Sequence, residues 1–220
     1  MKRSFLLSLF AFSCAAAGAA ETPAVPELAK LPPMDGSFRE ADWSKALKLD
    51  GFTLKEGVAA AEPTAVYLCR DRNTLYGAIA MDGEDVAALI PKQEKDRLKA
   101  PWALPGVECM LGSSDAALQL AFDYMGRVYS DLDKLFYVTA GWTANRVTVR
   151  FALPLEIVPR DRASDYIVRM NFYRKSAGGL SSWVPNDTTL IRDMSKTREV
   201  YLAPADKVAA DVKARAEAKA

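Results

Sequence analysis

Trp102 and Glu108 flank a short stretch rich in Pro and Gly that runs into an alternating segment, with Val107, Cys109 and Leu111 on one side and Glu108 and Met110 on the other. Strand side chains alternate with period two, so Glu108 falls on the face away from the apolar residues. An indole stacks on the C–H faces of a ring and a carboxylate accepts from hydroxyls, so this pair suits a hydroxyl-rich ligand. The commoner arrangement is a Trp that closes the end of a core beside a solvated acid. Trp183 sits in a second long loop. Two facing indoles would sandwich a sugar ring, and two buried ones would plug the ends of a core. Gln119, Asp123 and Asn171 lie on the polar faces of neighbouring strands and complete the candidate contacts.

Other chemistry is limited by what is missing. The chain has no histidine, which excludes Ser-His-Asp and Cys-His catalysis, histidine metal sites and histidine-ligated haem. It carries no phosphate loop, dinucleotide fingerprint or nucleophile elbow. Glu108 and Asp123 form one carboxylate pair on a sheet face, but glycoside hydrolysis also needs a deep cleft and split pKa values, so ligand-binding or solvated acids are the ordinary reading. No enzyme is expected. Asp71, Asp82, Glu84 and Asp85 lie near loop ends, where they could hold a structural Ca²⁺ or simply face water. Basic and acidic side chains number 29 and 28, which argues against a nucleic-acid partner.

These residues need strands to position them. Half of the 220 residues are hydrophobic, ample for one sizeable core. Alternating patterns predict strands at residues 47–54, 64–70, 75–81, 107–111, 117–124, 127–131, 136–139, 145–153, 166–173 and 198–202. Residues 83–98 and 174–190 read as long loops, the first with room for a helical turn. Many short strands without strand–helix alternation predict an all-β, antiparallel, jelly-roll-like sandwich with long loops and a short C-terminal helix. The domain spans 34–203, after an extended leader at 21–33 and before an Ala- and Lys-rich helical tail at 204–220.

Residues 1–20 have the form of a signal peptide: Lys2 and Arg3, an apolar run from Phe5 to Phe12, then small residues to Ala20. The expected location is therefore secreted or periplasmic, with no transmembrane segment in the mature chain. Ala11 stands where a lipoprotein signal has Leu, so Cys14 is not read as a lipid anchor. Cys69 and Cys109 remain, and export makes a bridge chemically feasible without establishing one.

Five segments in order resemble the family 9 carbohydrate-binding modules and their relatives, which include DOMON domains. They are Asp35-Gly36-Ser37-Phe38-Arg39-Glu40-Ala41-Asp42-Trp43; Val66-Tyr67-Leu68-Cys69-Arg70-Asp71 with Leu75-Tyr76-Gly77-Ala78; the Trp102 to Glu108 step; Gly141-Trp142 with the strand ending at Pro154; and Asn171-Phe172-Tyr173-Arg174 with Ser182-Trp183. The resemblance covers about 33–202. It implies a jelly-roll-like sandwich, often with bound calcium, that binds the ends of oligosaccharide or polysaccharide chains without cleaving them. It assigns Trp102 and Trp183 to a sugar clamp and Glu108 to a hydroxyl contact. Ala121, Asp123 and Arg150 depart from the family pattern, which leaves room for a second expectation: a cell-envelope module that kept the fold and binds a protein partner instead of sugar.

Overall fold

Alternation decides the architecture. The computed structural model describes residues 22–35, 38–83, 85–100, 103–130, 137–160, 166–187, 191–203 and 205–218. Among these, β1 (Leu47–Leu49), β3 (Thr64–Arg70), β4 (Thr74–Asp82), β9 (Arg146–Pro154) and β8 (Tyr137–Trp142) form one antiparallel sheet in the order β1-β3-β4-β9-β8. The second sheet runs β2 (Thr53–Leu54), β11 (Gly179–Ser182), β10 (Ile167–Ser176), β5 (Gly106–Gly112), β6 (Ala117–Asp123), β7 (Val128–Ser130), and β12 (Arg198–Tyr201) also pairs with β10. The result is the β-sandwich expected from the sequence.

The inner faces are the apolar halves of the alternating patterns. Val107, Cys109 and Leu111 meet Leu75, Ile79 and Val149 across one continuous core. Phe122 and Phe151 stack across the sandwich with ring centroids 5.6 Å apart. Gly77 makes room for that stack, because a Cβ there would lie 2.2 Å from the Phe151 ring. At about 1.5–3 kcal/mol for each fully buried large apolar side chain, this interface dominates the stability of the domain.

Several segments differ in detail from expectation. Residues 47–54 divide at Gly51, whose φ of 72° turns the chain, so β1 and β2 join different sheets. The 83–98 loop contains helix α1 (Val86–Lys95), capped by the Asp85 side chain, which accepts from the Ala88 amide. Pro91 obscures α1 in the sequence, yet Val86, Leu89, Ile90 and Gln93 share the buried face that holds it in place. Residues 22–33 touch the sandwich: Ala24 and Glu27 bridge to Tyr201 and Arg70, and Val25 enters the core. The C-terminal helix α2 (Ala205–Glu217) is tied to β12 through Tyr201–Asp211 and Arg215–Glu199 contacts. No helix among the described residues is long and apolar enough to cross a membrane.

Cys69 and Cys109 are both free and buried. Cys109 lies between the sheets, while Cys69 packs with Trp43 and Tyr67 on the outer face of the five-stranded sheet. Burial pushes the Cys69 thiol up to about 12 and the Cys109 thiol well above its usual range. Both behave as small hydrophobes.

Candidate ligand-binding site

On β5 the outer-face residues are Gly106, Glu108 and Met110. Glu108 is flanked in register by Ala121 on β6 and Tyr173 on β10, and Met110 by Gln119 and Asn171. The direct neighbour Ala121 offers Glu108 no side-chain polar group. Gln119 reaches it diagonally instead, donating from Nε2 to Oε2 at 2.6 Å, within the reach of a long side chain across an antiparallel pair. The Gln119 carbonyl in turn accepts from Arg192 Nε at 2.5 Å. This chain orients the amide, with its donors toward the acid and its oxygen toward the guanidinium. Burial pushes the Glu108 carboxyl above the usual carboxylate range, opposed by the Gln119 hydrogen bond and by the charges of Lys175 and Arg192.

A cavity of about 290 Å³ opens beside Glu108, lined also by Lys175, Ser176, Gly179, Leu180 and Ile191. Leu180 and Lys175 are cross-strand partners in the β10–β11 hairpin, so both face the cavity side of the sheet. Lys175 Nζ donates to the Ala103 carbonyl at 3.2 Å, which brings the chain ahead of β5 to the rim. Ligand cavities start at about 300 Å³, so this one matches a single small ring. Its chemistry is a half-buried acceptor, a nearby ammonium and two aliphatic walls.

The six residues singled out in the sequence have separate fates. Glu108 and Gln119 meet at the cavity. Asp123 shares their sheet face but is fully buried and committed to the β6–β7 turn: Oδ1 accepts from the Met125 and Arg127 amides, each at 2.9 Å, and Oδ2 pairs with Arg127 Nε. That commitment removes Asp123 both as a sugar contact and as one half of a catalytic acid pair with Glu108.

Asn171 is fully buried too, where β10 passes from one edge partner to the other. β12 pairs with β10 at 167–170 and β11 at 173–176, which leaves a gap between them. The Asn171 side chain fills it, donating to Val184 O and Lys196 O and accepting from the Val184 and Phe172 amides. Its hydrogen bonds go to backbone, and it is not among the residues that line the Glu108 cavity. Trp183 follows Ser182 of β11 and turns inward, packing against the core with the Arg198 guanidinium 5.8 Å from its ring. In this conformation Trp183 plugs the sandwich and is not part of the Glu108 cavity. Trp102 lies outside the described residues.

Sequence reasoning missed Lys175 and Leu180 because residues 174–190 read as loop, and Ile191 and Arg192 because they fall between that loop and the strand expected at 198–202. The overlooked signal was Gly178-Gly179 directly after an alternating strand, a hairpin turn that lets β10 continue and fold back as β11.

Three of the four acids considered for calcium have other partners. Asp71 caps the β3–β4 turn through the Asn73 and Thr74 amides, Asp82 pairs with Arg146, and Asp85 caps α1. Glu84 lies outside the described residues. No group of three or more acidic, His or Cys side chains arranged for a metal occurs among the described residues.

No protein-family model matches this sequence, and no curated protein is detectably similar to it. Solved structures are similar in fold. A family 9 carbohydrate-binding module from Caldicellulosiruptor kristjanssonii in complex with glucose has a TM-score of 0.59 at 14% identity, over 82% of this chain and 96% of that one. A family 9 module from the same organism in complex with cellotriose has a TM-score of 0.55 at 13% identity, over 84% and 94%. A Bacteroides uniformis protein with a proposed carbohydrate-binding role has a TM-score of 0.53 at 8% identity, over 83% and 100%. The chain therefore has the fold of a family 9 carbohydrate-binding module.

Proposed function

We propose that this chain is a non-catalytic carbohydrate-binding domain that holds the terminal ring of a glycan in the cavity beside Glu108. The observation that carries this reading is the Arg192–Gln119–Glu108 chain, which aims an oriented carboxylate into a space of about 290 Å³. In this reading Glu108 accepts from vicinal hydroxyls, Lys175 donates to a ring or hydroxyl oxygen, and Leu180 and Ile191 cover an apolar ring face. The small volume favours one sugar at a chain end over the middle of a chain. Trp102 precedes the rim residue Ala103 in sequence, and in this reading its indole is the stacking group. The fold neighbours were solved with glucose and cellotriose, which makes neutral glucose-based oligosaccharides the first ligands to test. The signal-peptide pattern at 1–20 supports binding outside the cytoplasm as part of this reading.

Calorimetric titration of the mature chain with glucose, cellotriose and a wider glycan panel tests the reading. Saturable binding that weakens at least about tenfold in Glu108→Ala and in Trp102→Ala supports it. No binding across the panel, or affinity unchanged in both variants, removes it.

A second reading is an envelope protein-interaction module. Its support is β8, an edge of the five-stranded sheet among the described residues, on which Tyr137 and Trp142 are each about half exposed. A stable protein partner lost on Trp142→Ala, with no glycan response, would favour it.

A further inference from the structure

A second cavity, of about 360 Å³, opens on the outer face of the five-stranded sheet. Its floor is Ala65 and Ala80, cross-strand partners on β3 and β4. Two small side chains in one row leave a depression that larger residues would fill. Tyr67 bounds it on one side, and the register pair Asp82–Arg146 bounds it on the other. The rim is firmly built. Arg174 crosses from the other sheet, nearly fully buried, and donates to Glu62 O, Pro63 O, the Thr64 hydroxyl and Asp82 O at 2.8–3.2 Å.

Donors and acceptors around this cavity are unequal. Lys48 faces Glu40 at 3.3 Å and Asp50 at 3.6 Å. Arg146 Nε and Nη2 both donate to Asp82. The Tyr67 hydroxyl donates to Glu40 at 2.5 Å, and burial together with that bond pushes the phenol up to about 12, so it stays protonated. Each donor named here already has a carboxylate. Of the carboxylates, Asp50 has only the long contact to Lys48, and Glu62 makes no side-chain hydrogen bond or ion pair among the described residues. The acceptors left over at the rim therefore suit a ligand that brings donors and positive charge. An anion would meet acids and spent cations. A divalent metal would need converging ligands, and no such group occurs among the described residues. A bare ammonium would leave most of the volume and the alanine floor unused.

We propose that this cavity binds a small hydroxylated primary amine of the amino-sugar class, with the ammonium at Asp50 and Glu62 and the ring over Ala65 and Ala80. The site is on the sheet opposite to Glu108 and does not depend on that site's function.

Amide-resolved NMR of the full mature chain, titrated near neutral pH with glucosamine, glucose or glucuronate, tests it. Glucosamine should shift the Ala65, Tyr67 and Ala80 signals saturably, glucose at least about tenfold more weakly, and glucuronate not at all. The double variant Asp50→Asn, Glu62→Gln alters only rim acids. It should weaken glucosamine about tenfold or more while keeping a folded spectrum, and Ala65→Leu should block the cavity sterically. Glu108→Gln should leave the glucosamine response intact, which separates this site from the other. Equal responses to glucose and glucosamine, no response at these residues, unchanged affinity in the folded double variant, or the same shifts from CaCl₂ alone would each overturn the proposal.

Discussion

Gln119 donates its side-chain amide to Glu108 at 2.6 Å, although the two residues are diagonal and not opposite one another in the β5–β6 ladder. The residue directly opposite Glu108 is Ala121, and its small size leaves the carboxylate to the amide and to the open cavity. One oxygen is held and oriented, so the acid reaches a ligand with little ordering left to lose.

Glu108→Gln should weaken saccharide binding at least about tenfold, because the neutral amide is a poorer acceptor for hydroxyls. It should also change the pH dependence of stability. Burial raises the folded-state pKa of Glu108, so its contribution is fully present below the ordinary carboxylate value and is lost as pH rises through the raised one. In urea denaturation at several pH values, the stability of Glu108→Gln relative to the parent should therefore improve as pH rises across that window.

Asn171→Ala should cost about 2–4 kcal/mol, since it takes the side-chain partner from the Lys196 carbonyl and from the Phe172 and Val184 amides where β10 changes partners, while the Val184 carbonyl keeps the Ser182 hydroxyl. Asp123→Asn should cost about 1 kcal/mol, because an amide oxygen can still hold the turn while the Arg127 ion pair is lost. Urea midpoints measure both. Glycan affinity of the folded variants should stay within about twofold of the parent, and a large selective loss of affinity at unchanged stability would return either residue to direct contact.

Arg174→Met should destabilise the chain by about 3 kcal/mol or more, because one nearly fully buried guanidinium serves four acceptors on β3, β4 and the segment just before β3. Arg174→Lys should recover only part of that, since a single ammonium cannot reproduce the fork. Full recovery by Lys would show that the charge matters and not the geometry.

Arg150→Met should stabilise by about 1–3 kcal/mol. Arg150 is fully covered, and none of its three guanidinium nitrogens has a hydrogen-bond partner among the described residues. Burial pulls its pKa down, while the charges of Asp35 and Tyr137 partly compensate. An apolar chain of similar volume avoids the desolvation cost. A melting temperature lowered by the substitution would mean that the charge has a stronger partner than the geometry indicates.

Strand positions were legible because their signal is local. Val147, Val149, Phe151 and Leu153 alternate without interruption, and β9 follows them. Helix α1 was not legible, because Pro91 contradicts a helix and the deciding bonds are distant: Gln93 donates to Pro105 O and accepts from the Tyr124 amide. The pairing of Glu108 with Gln119 could be anticipated from strand faces. The roles of Asn171 and Asp123 could not, since a polar residue on an outer face reads alike whether it meets solvent, a ligand or a backbone gap.

By itself, the sequence determined the alternating apolar faces, and through them two sheets packed on one core, because side-chain period is a property of each strand alone. It also determined which acids and amides point away from that core. Only the tertiary structure decided what those outward faces meet. Trp183 turned inward because β11 placed Ser182 outward one residue earlier. Leu180 and Lys175 reached Glu108 because β10 continued through a glycine turn and folded back, and Ile191 joins them from a later segment of the chain. Trp102 and Glu108 set the question, and the Glu108 half of it is answered by a diagonal amide and a hairpin whose contacts come from residues far apart in the chain.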